Sequence, residues 1–166
     1  MVRGYLLDTN IVSFWFDKSK PEHDRVIKNI ASLSADSPLT ISVVTLGEIE
    51  YGHRAQSAQE TPIQTEYKDF VQKQLPIVLE IRKTTTVHYG MLRARLFEKY
   101  LRNGKKGLRP EQLRDPVTSL RLGIHENDLW IAAQAVEHNL ILVTHDNVDH
   151  LRAIGSNDLV LEDWAA

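Results

Sequence analysis

The chain has 166 residues, of which 42% are hydrophobic and 25% are charged, and its formal net charge at pH 7 is −2. This composition is ordinary for a globular protein, and it excludes long disordered stretches and a membrane-embedded chain. The sequence contains no cysteine, which excludes disulfides, thiolate metal sites and cysteine nucleophiles. Any metal ion would therefore need carboxylate, histidine or carbonyl ligands.

The length predicts a single domain, residues 1–166, that is large enough to bury a hydrophobic core. The N-terminal residues MVRGYLLDTN reach an aspartate after an apolar run of only three residues. Such a short run is not typical of a secretory signal. We therefore expect a cytoplasmic protein with no membrane partner.

Short apolar or β-branched runs alternate with segments of helical apolar spacing along most of the chain. The predicted strands cover residues 5–7, 39–44, 77–81, 140–144 and 159–161, and the predicted helices include 21–33, 61–75, 87–101 and 127–138. This alternation predicts an α/β fold with a central, mainly parallel sheet that is covered by helices on both faces.

Residues 103–122, NGKKGLRPEQLRDPVTSLRL, interrupt the alternation with two glycines and two prolines. We predict a long basic loop insert with at most one short helical turn. Residues 99–121 contain seven Lys and Arg residues against two acidic ones, a local net charge of +5. Lys105, Lys106 and Arg109 are candidates for contacts with phosphates. The alternative is an ordinary solvated basic face.

Four acidic residues stand out by their position relative to the predicted elements. Asp8 and Asp146 each follow a strand, Glu48 lies in the helix after the second strand, and Asp128 lies in the first turn of a helix. Taken singly, each aspartate has a structural explanation as a helix cap or a partner of the helix dipole. Glu48 is harder to explain in this way, because Val44 and Tyr51 share its helix face and a carboxylate there needs a partner.

Parallel topology brings the four positions together, because the carboxyl ends of neighbouring strands share one edge of the sheet. Two carboxylates ~5 Å apart at an effective dielectric of ~20 repel each other by about 3 kcal/mol. Four of them need cations or protons, and Mg²⁺ prefers oxygen ligands and retains several waters. Asp149, three residues after Asp146, is a candidate fifth, peripheral ligand, although plain surface solvation is the preferred explanation.

Three stretches together resemble the PIN-domain family, and within it the VapC-type toxin ribonucleases of toxin–antitoxin systems. They are YLLDTNIVSFW, ISVVTLGEIEYG and ENDLWIAAQAVEHNLILVTHD followed by LRAIGSNDLVLEDW. The resemblance covers essentially the whole chain apart from the basic insert. It implies a PIN-like three-layer α/β/α fold and a Mg²⁺- or Mn²⁺-dependent endoribonuclease. It also implies an RNA substrate, a cognate small antitoxin protein and a homodimer.

Carried over residue by residue, the family's metal-binding and catalytic acids fall on Asp8, Glu48, Asp128 and Asp146. Asp8 would be the central ligand, Glu48 and Asp128 would bind directly or through water and help to position the attacking hydroxide, and Asp146 would complete the site. The resemblance also assigns supporting roles to other residues of the same motifs, namely Asn10 and Thr144. The tail segment departs from the family at Leu151, where an aromatic residue is common.

Other functions remain as alternatives. The pair His145-Asp146 allows a histidine-metal phosphohydrolase, but such domains are helical and this pair follows a strand. An aspartate after the first strand also occurs in receiver and haloacid-dehalogenase-like domains, which need further acids that are missing beside Asp8. The main rival is a catalytically inert PIN-like binding or regulatory module, which is disfavoured because all four acids are present.

Overall fold

The computed structural model describes residues 3–59, 61–101 and 107–166. Within them, five strands alternate with seven α-helices and one short 3₁₀ helix. The strands are β1 (Tyr5–Leu7), β2 (Leu39–Ser42), β3 (Ile77–Leu79), β4 (Ile141–Val143) and β5 (Val160–Glu162). The α-helices are α1 (Thr9–Phe16), α2 (His23–Ala31), α3 (Val43–Ala55), α4 (Thr61–Gln74), α5 (Thr85–Tyr100), α6 (Glu126–Glu137) and α7 (Val148–Gly155), and the 3₁₀ helix is Pro110–Gln112.

The five strands form one parallel sheet in the order β3-β2-β1-β4-β5. β1 is central, and its Leu7 is in register with Ile41 of β2 on one side and with Val143 of β4 on the other. After β3 the chain returns to the far side of β1, so the strand order changes direction between β1 and β4. Open α/β sheets bind their ligands at the carboxyl ends of strands beside such a change.

Side chains of successive strand residues point to opposite faces, and this alternation divides the core into two layers. Leu6 and Leu142 pack with α5, α6 and α7, whereas Leu7, Ile141 and Val143 pack with α1 to α4. The sheet is therefore covered on both faces, and the predicted three-layer α/β/α fold is confirmed.

The predicted element bounds differ from the structure most clearly at the end of β2. The sequence predicts a strand over residues 39–44, but β2 ends at Ser42 and α3 begins at Val43. The Ser42 hydroxyl accepts a hydrogen bond from the backbone N–H of Val44 (2.9 Å), which caps the helix. It also donates to Gln134 Oε1 (2.5 Å) in the interior. This cap outweighs the β-propensity of the two valines.

The described part of the insert has the predicted short helical turn, the 3₁₀ helix Pro110–Gln112. It is nevertheless less detached than a surface loop, because Leu113 and Leu122 are buried in the core. None of the helices in the described ranges is both long and apolar enough to cross a membrane.

Candidate active site

Asp8 lies directly after β1 and is the N-cap of α1. Its Oδ1 accepts a hydrogen bond from the backbone N–H of Thr9 (2.7 Å), which satisfies one of the free donors at the start of the helix. Its Oδ2 accepts from the Thr144 hydroxyl (2.8 Å). The capping explanation and the functional prediction are therefore compatible for this residue, because the cap uses one carboxylate oxygen and the other faces β4.

Asp146 follows β4 and meets Asp8 through two polar side chains. The Asn10 amide donates to Asp146 Oδ2 (3.0 Å) and lies 3.5 Å from both Asp8 Oδ2 and the Thr144 hydroxyl. The backbone N–H of Asp146 donates to the Thr144 hydroxyl (3.3 Å). Asn10 and Thr144 therefore connect the ends of β1 and β4, which fixes the two aspartates relative to each other.

Glu48 lies on α3 and reaches the same edge of the sheet. One of its carboxylate oxygens accepts from the Thr9 hydroxyl, and the other accepts from the Asn127 amide (2.8 Å). The prediction that Glu48 needs a partner is correct, but the reason given for it, an apolar helix face shared with a tyrosine, is not what the structure shows. Tyr51, which shares its helix face, is 75% exposed, so Glu48 faces the polar groups of α1 and α6 and is not held against a buried tyrosine.

Asp128 lies in the first turn of α6, as predicted. Its Oδ2 accepts from the backbone N–H of His125 (2.7 Å), the residue before the helix. The side chain thus helps to cap α6 while it remains part of the same acidic edge. The α6 N-terminus also supplies Asn127, the partner of Glu48, so one helix start orients two of the four acids.

The four predicted acids line one cavity of about 560 Å³ at the carboxyl edge of the sheet. We call it the acidic pocket, and its full lining is Asp8, Thr9, Asn10, Ser13, Glu48, Glu111, His125, Asn127, Asp128 and Asp146. Burial, followed by the charges of Glu48 and Asp146, raises the pKa of Asp8 to about 6, against hydrogen bonds that lower it. Burial, followed by the charges of the three other predicted acids, raises the pKa of Asp128 to about 7. The pocket therefore holds more negative charge than its own donors neutralise.

A divalent cation fits this donor set by its chemistry. Hard cations prefer carboxylate oxygens, and these four carboxylates lie at a water-accessible cavity with two of them hard to ionise. Within the described residues, however, no three Asp, Glu or His side chains are arranged to coordinate one ion by themselves. Mg²⁺ does not require that arrangement, because it usually takes one or two carboxylates and completes its shell with water and phosphate.

Several pocket residues were not predicted from the sequence, namely Thr9, Ser13, Glu111, His125 and Asn127. Thr9 and Asn127 adjoin Asp8 and Asp128, so their proximity could have been inferred. Glu111 belongs to the insert, and no local pattern in the sequence indicated that it would lie here.

Other predicted residues lie away from the acidic pocket. Asp149 is exposed on α7 and pairs with Arg152 (3.0 Å), so it does not line the cavity. Arg109 is exposed at the start of the 3₁₀ helix. Lys105 and Lys106 lie outside the described residues.

Comparisons with known proteins agree with this fold. The PIN domain family model matches residues 5–155. Ribonuclease VapC2 of Rickettsia felis is 29% identical over 161 residues, which cover 96% of this chain and 97% of the relative. Ribonuclease VapC1 of Haemophilus influenzae (strain R2866) is 28% identical over 165 residues, with the same coverage.

A solved structure aligns over nearly the full length. It is the crystal structure of VapBC2 from Rickettsia felis bound to a DNA fragment from their promoter, with a TM-score of 0.69 and 26% identity over 99% of both chains. The alignment covers nearly all of both chains, so the two proteins share the same overall architecture.

Proposed function

The chain belongs to the PIN domain family, and from that premise we propose that it is a metal-dependent endoribonuclease, the toxin of a toxin–antitoxin pair. The relatives that cover almost the whole chain carry the name ribonuclease VapC. The observation that carries the proposal is the convergence of Asp8, Glu48, Asp128 and Asp146 on one pocket. An inert binding module would have no need to keep four carboxylates in mutual repulsion.

In this proposal the four acids hold Mg²⁺ or Mn²⁺. A divalent ion bound there supplies Lewis acidity, which lowers the pKa of water and neutralises charge on the phosphodiester. Asp8 is the central ligand, Glu48 and Asp128 bind directly or through water, and Asp146 completes the site. Asp149 remains a proposed peripheral ligand that would have to leave Arg152 to take part.

The polar neighbours give each carboxylate a fixed orientation. Thr144 and Asn10 hold Asp8 and Asp146, while Asn127 holds Glu48. Each carboxylate oxygen can accept more than one hydrogen bond, so lone pairs beyond those that the neighbouring donors use are available to a cation or to water. Pre-positioned ligands lose little conformational entropy when the ion binds, which favours a productive geometry.

We further propose the partners and setting of the chain. The substrate is RNA, and Lys105, Lys106 and Arg109 contact its phosphates. A small cognate antitoxin protein inhibits the enzyme, in line with the VapBC complex to which the fold aligns. The chain acts in the cytoplasm as a homodimer, and residues 1–166 form one domain with 103–122 as a basic insert.

The test is an RNA cleavage assay on purified protein. A pool of cellular RNAs is incubated in Mg²⁺ or in Mn²⁺, with EDTA and the Asp128→Asn variant as controls. Asn retains an acceptor for the His125 N–H, so the variant removes charge while it keeps the α6 cap. We expect cuts that are absent from both controls. If folded, antitoxin-free protein cuts nothing in either metal, the chain is better described as a binding module.

A further inference from the structure

The described part of the insert is anchored to the body of the protein. Leu113 and Leu122 are 2% and 1% exposed, and the backbone N–H of Leu122 donates to Leu113 O (3.1 Å). Arg114 and Arg121 form an antiparallel bridge beyond them. A segment pinned by two buried leucines and by backbone hydrogen bonds presents its neighbouring side chains in a defined position.

Glu111 lies just before this anchor, in the 3₁₀ helix, and it reaches α6. Its Oε1 accepts a hydrogen bond from the backbone N–H of Glu126 (2.8 Å), the first residue of the helix. The same helix start holds Asp128 through the N–H of His125 and holds Glu48 through Asn127. Glu111 therefore contacts the element that orients two of the four acids.

Glu111 also lines the acidic pocket. Its Oε2 is buried and finds no hydrogen-bond partner among the described residues. Burial opposes ionisation, but the backbone N–H groups of Glu126 and of Glu111 itself, followed by the charges of His125 and Arg109, outweigh it, so the pKa of Glu111 is lowered. A carboxylate that stays charged while one oxygen lacks a partner favours an external positive charge or donor nearby.

We propose that Glu111 is a positioning residue of the acidic pocket, through which the insert both fixes the α6 N-terminus and adds a fifth negative charge that favours a bound divalent cation. The inference rests on the proposed metal-dependent function. It assigns the insert a role that its basic composition did not indicate. Most charged residues of the insert are basic, yet the residue by which it lines the pocket, Glu111, is acidic.

The test measures Mn²⁺ binding to the full chain by calorimetry, without RNA. Glu111→Gln removes the charge and retains an oxygen that can accept from the Glu126 N–H. We expect its Mn²⁺ dissociation constant to rise by about tenfold, the lower end of what loss of an outer-shell partner causes. Asp115→Asn is the matched control, because it removes a negative charge from the same segment at a residue that does not line the pocket.

The control also preserves its local structure. Asp115 Oδ1 accepts from the N–H groups of Val117 and Thr118, and an asparagine oxygen can do the same. We expect Asp115→Asn to bind Mn²⁺ like the wild type. Equal weakening in both variants would mean that only the overall charge of the segment matters, and this would overturn the assignment of Glu111.

RNA cleavage separates positioning from a purely structural role. If Glu111 acts through ion affinity, a high Mn²⁺ concentration restores the cleavage rate of Glu111→Gln but not that of Asp128→Asn. If Glu111→Gln melts at a lower temperature than the wild type and yet binds Mn²⁺ with wild-type affinity, Glu111 has a purely structural role. That result would overturn the inference. Absence of Mn²⁺ binding in the wild type would instead contradict the proposed function, and this inference would fall with it.

Discussion

Two cavities of nearly equal size have very different linings. The acidic pocket occupies about 560 Å³ beside the ends of β1 and β4. A second cavity, of about 580 Å³, lies between α3, α4 and β3, and we call it the apolar groove. Its lining is mainly aliphatic and consists of Val43, Leu46, Gly47, Ile49, Glu50, Lys68, Val71, Gln72, Leu75, Pro76 and Val78.

The two cavities differ in whether their charged groups are paired with groups of opposite charge. The only two charged residues among those lining residues of the apolar groove, Glu50 and Lys68, pair with each other at 2.6 Å. Among the residues that the structure describes, none gives the carboxylates of the acidic pocket a cationic partner at such a distance, and the pKa values of Asp8 and Asp128 are raised. Cavity size therefore does not distinguish the two sites, whereas uncompensated charge does, because acids with perturbed pKa values in a cleft are typical of functional sites.

The largest expected effect compares two glutamates on the same helix, one in each cavity. Glu48→Gln removes a charge from the acidic pocket and should lower the rate of RNA cleavage by about a hundredfold or more. Glu50→Gln removes a charge from the apolar groove and should leave the rate unchanged. Both rates are measured under the same Mg²⁺ or Mn²⁺ conditions, with circular dichroism to verify folding. A similar loss in both variants would mean that α3 is needed only for stability.

The second expected effect is on stability in the absence of metal. The folded chain keeps protons on Asp8 and Asp128 up to pKa values of about 6 and 7, whereas the ordinary value is 3.8. The folded state therefore binds more protons than the unfolded state between about pH 4 and pH 7, so these residues lower stability as the pH rises through that range.

Asp128→Asn should remove part of this penalty. In EDTA, the free energy of unfolding of the variant relative to the wild type should increase by on the order of 2 kcal/mol between pH 4.5 and pH 8. Denaturant titrations at several pH values measure the difference. Added Mn²⁺ should reverse it, because the ion binds the wild-type carboxylates. Parallel pH profiles in EDTA would contradict the raised pKa of Asp128.

The sequence could predict the four acids because each follows a local signal. Asp8 and Asp146 come after apolar runs, Glu48 lies in the helix after the second strand, Asp128 lies in the first turn of a helix, and parallel strands bring these positions to one edge of the sheet. The fold class follows from the same alternation of runs. These inferences depend on periodicity and on chain direction, both of which are visible in a single sequence.

The missed features depend on contacts between distant residues. Glu111 reaches the acidic pocket because Leu113 and Leu122 bury the insert beside α6, and nothing in the segment's own pattern indicates that packing. The end of β2 was misjudged because the cap at Ser42 outweighs the preference of two valines for a strand. Tertiary packing determines the position of Glu111, and a single hydrogen bond determines where β2 ends.

A third prediction concerns two glycines, one in the segment before α6 and one in the lining of the apolar groove. Gly123 has a φ of +73°, and a Cβ added there would lie 2.6 Å from Asn147 Oδ1. The Asn147 amide donates to Gly123 O (2.7 Å), which ties the residue after Asp146 to the segment before α6. Gly123→Ala should therefore destabilise the chain by about 1–2 kcal/mol and also reduce Mn²⁺ affinity.

Gly47, in α3 beside the apolar groove, is the matched control. A Cβ added there would meet nothing within 4 Å, and alanine is the better helix former. Gly47→Ala should stabilise the chain by about 0.5–1 kcal/mol and leave Mn²⁺ affinity unchanged. Thermal and denaturant unfolding measure both variants. If Gly123→Ala were as stable as the wild type, the link between Asn147 and Gly123 would not hold the loop that carries Asp146.

The smallest expected effect concerns the basic side of the insert. Arg109 is exposed, so a phosphate contact there would release about one counterion and contribute about 0.7 to the slope of log affinity against log salt for single-stranded RNA. Arg109→Ala should reduce the slope by that amount, whereas Lys68→Ala, in the apolar groove, should not change it. Binding is measured in the Asp128→Asn background, where the RNA stays intact. Glu111 and Arg109 are two residues apart. An unchanged slope would mean that this part of the insert contributes an acid to the pocket, but that Arg109 does not contact the RNA.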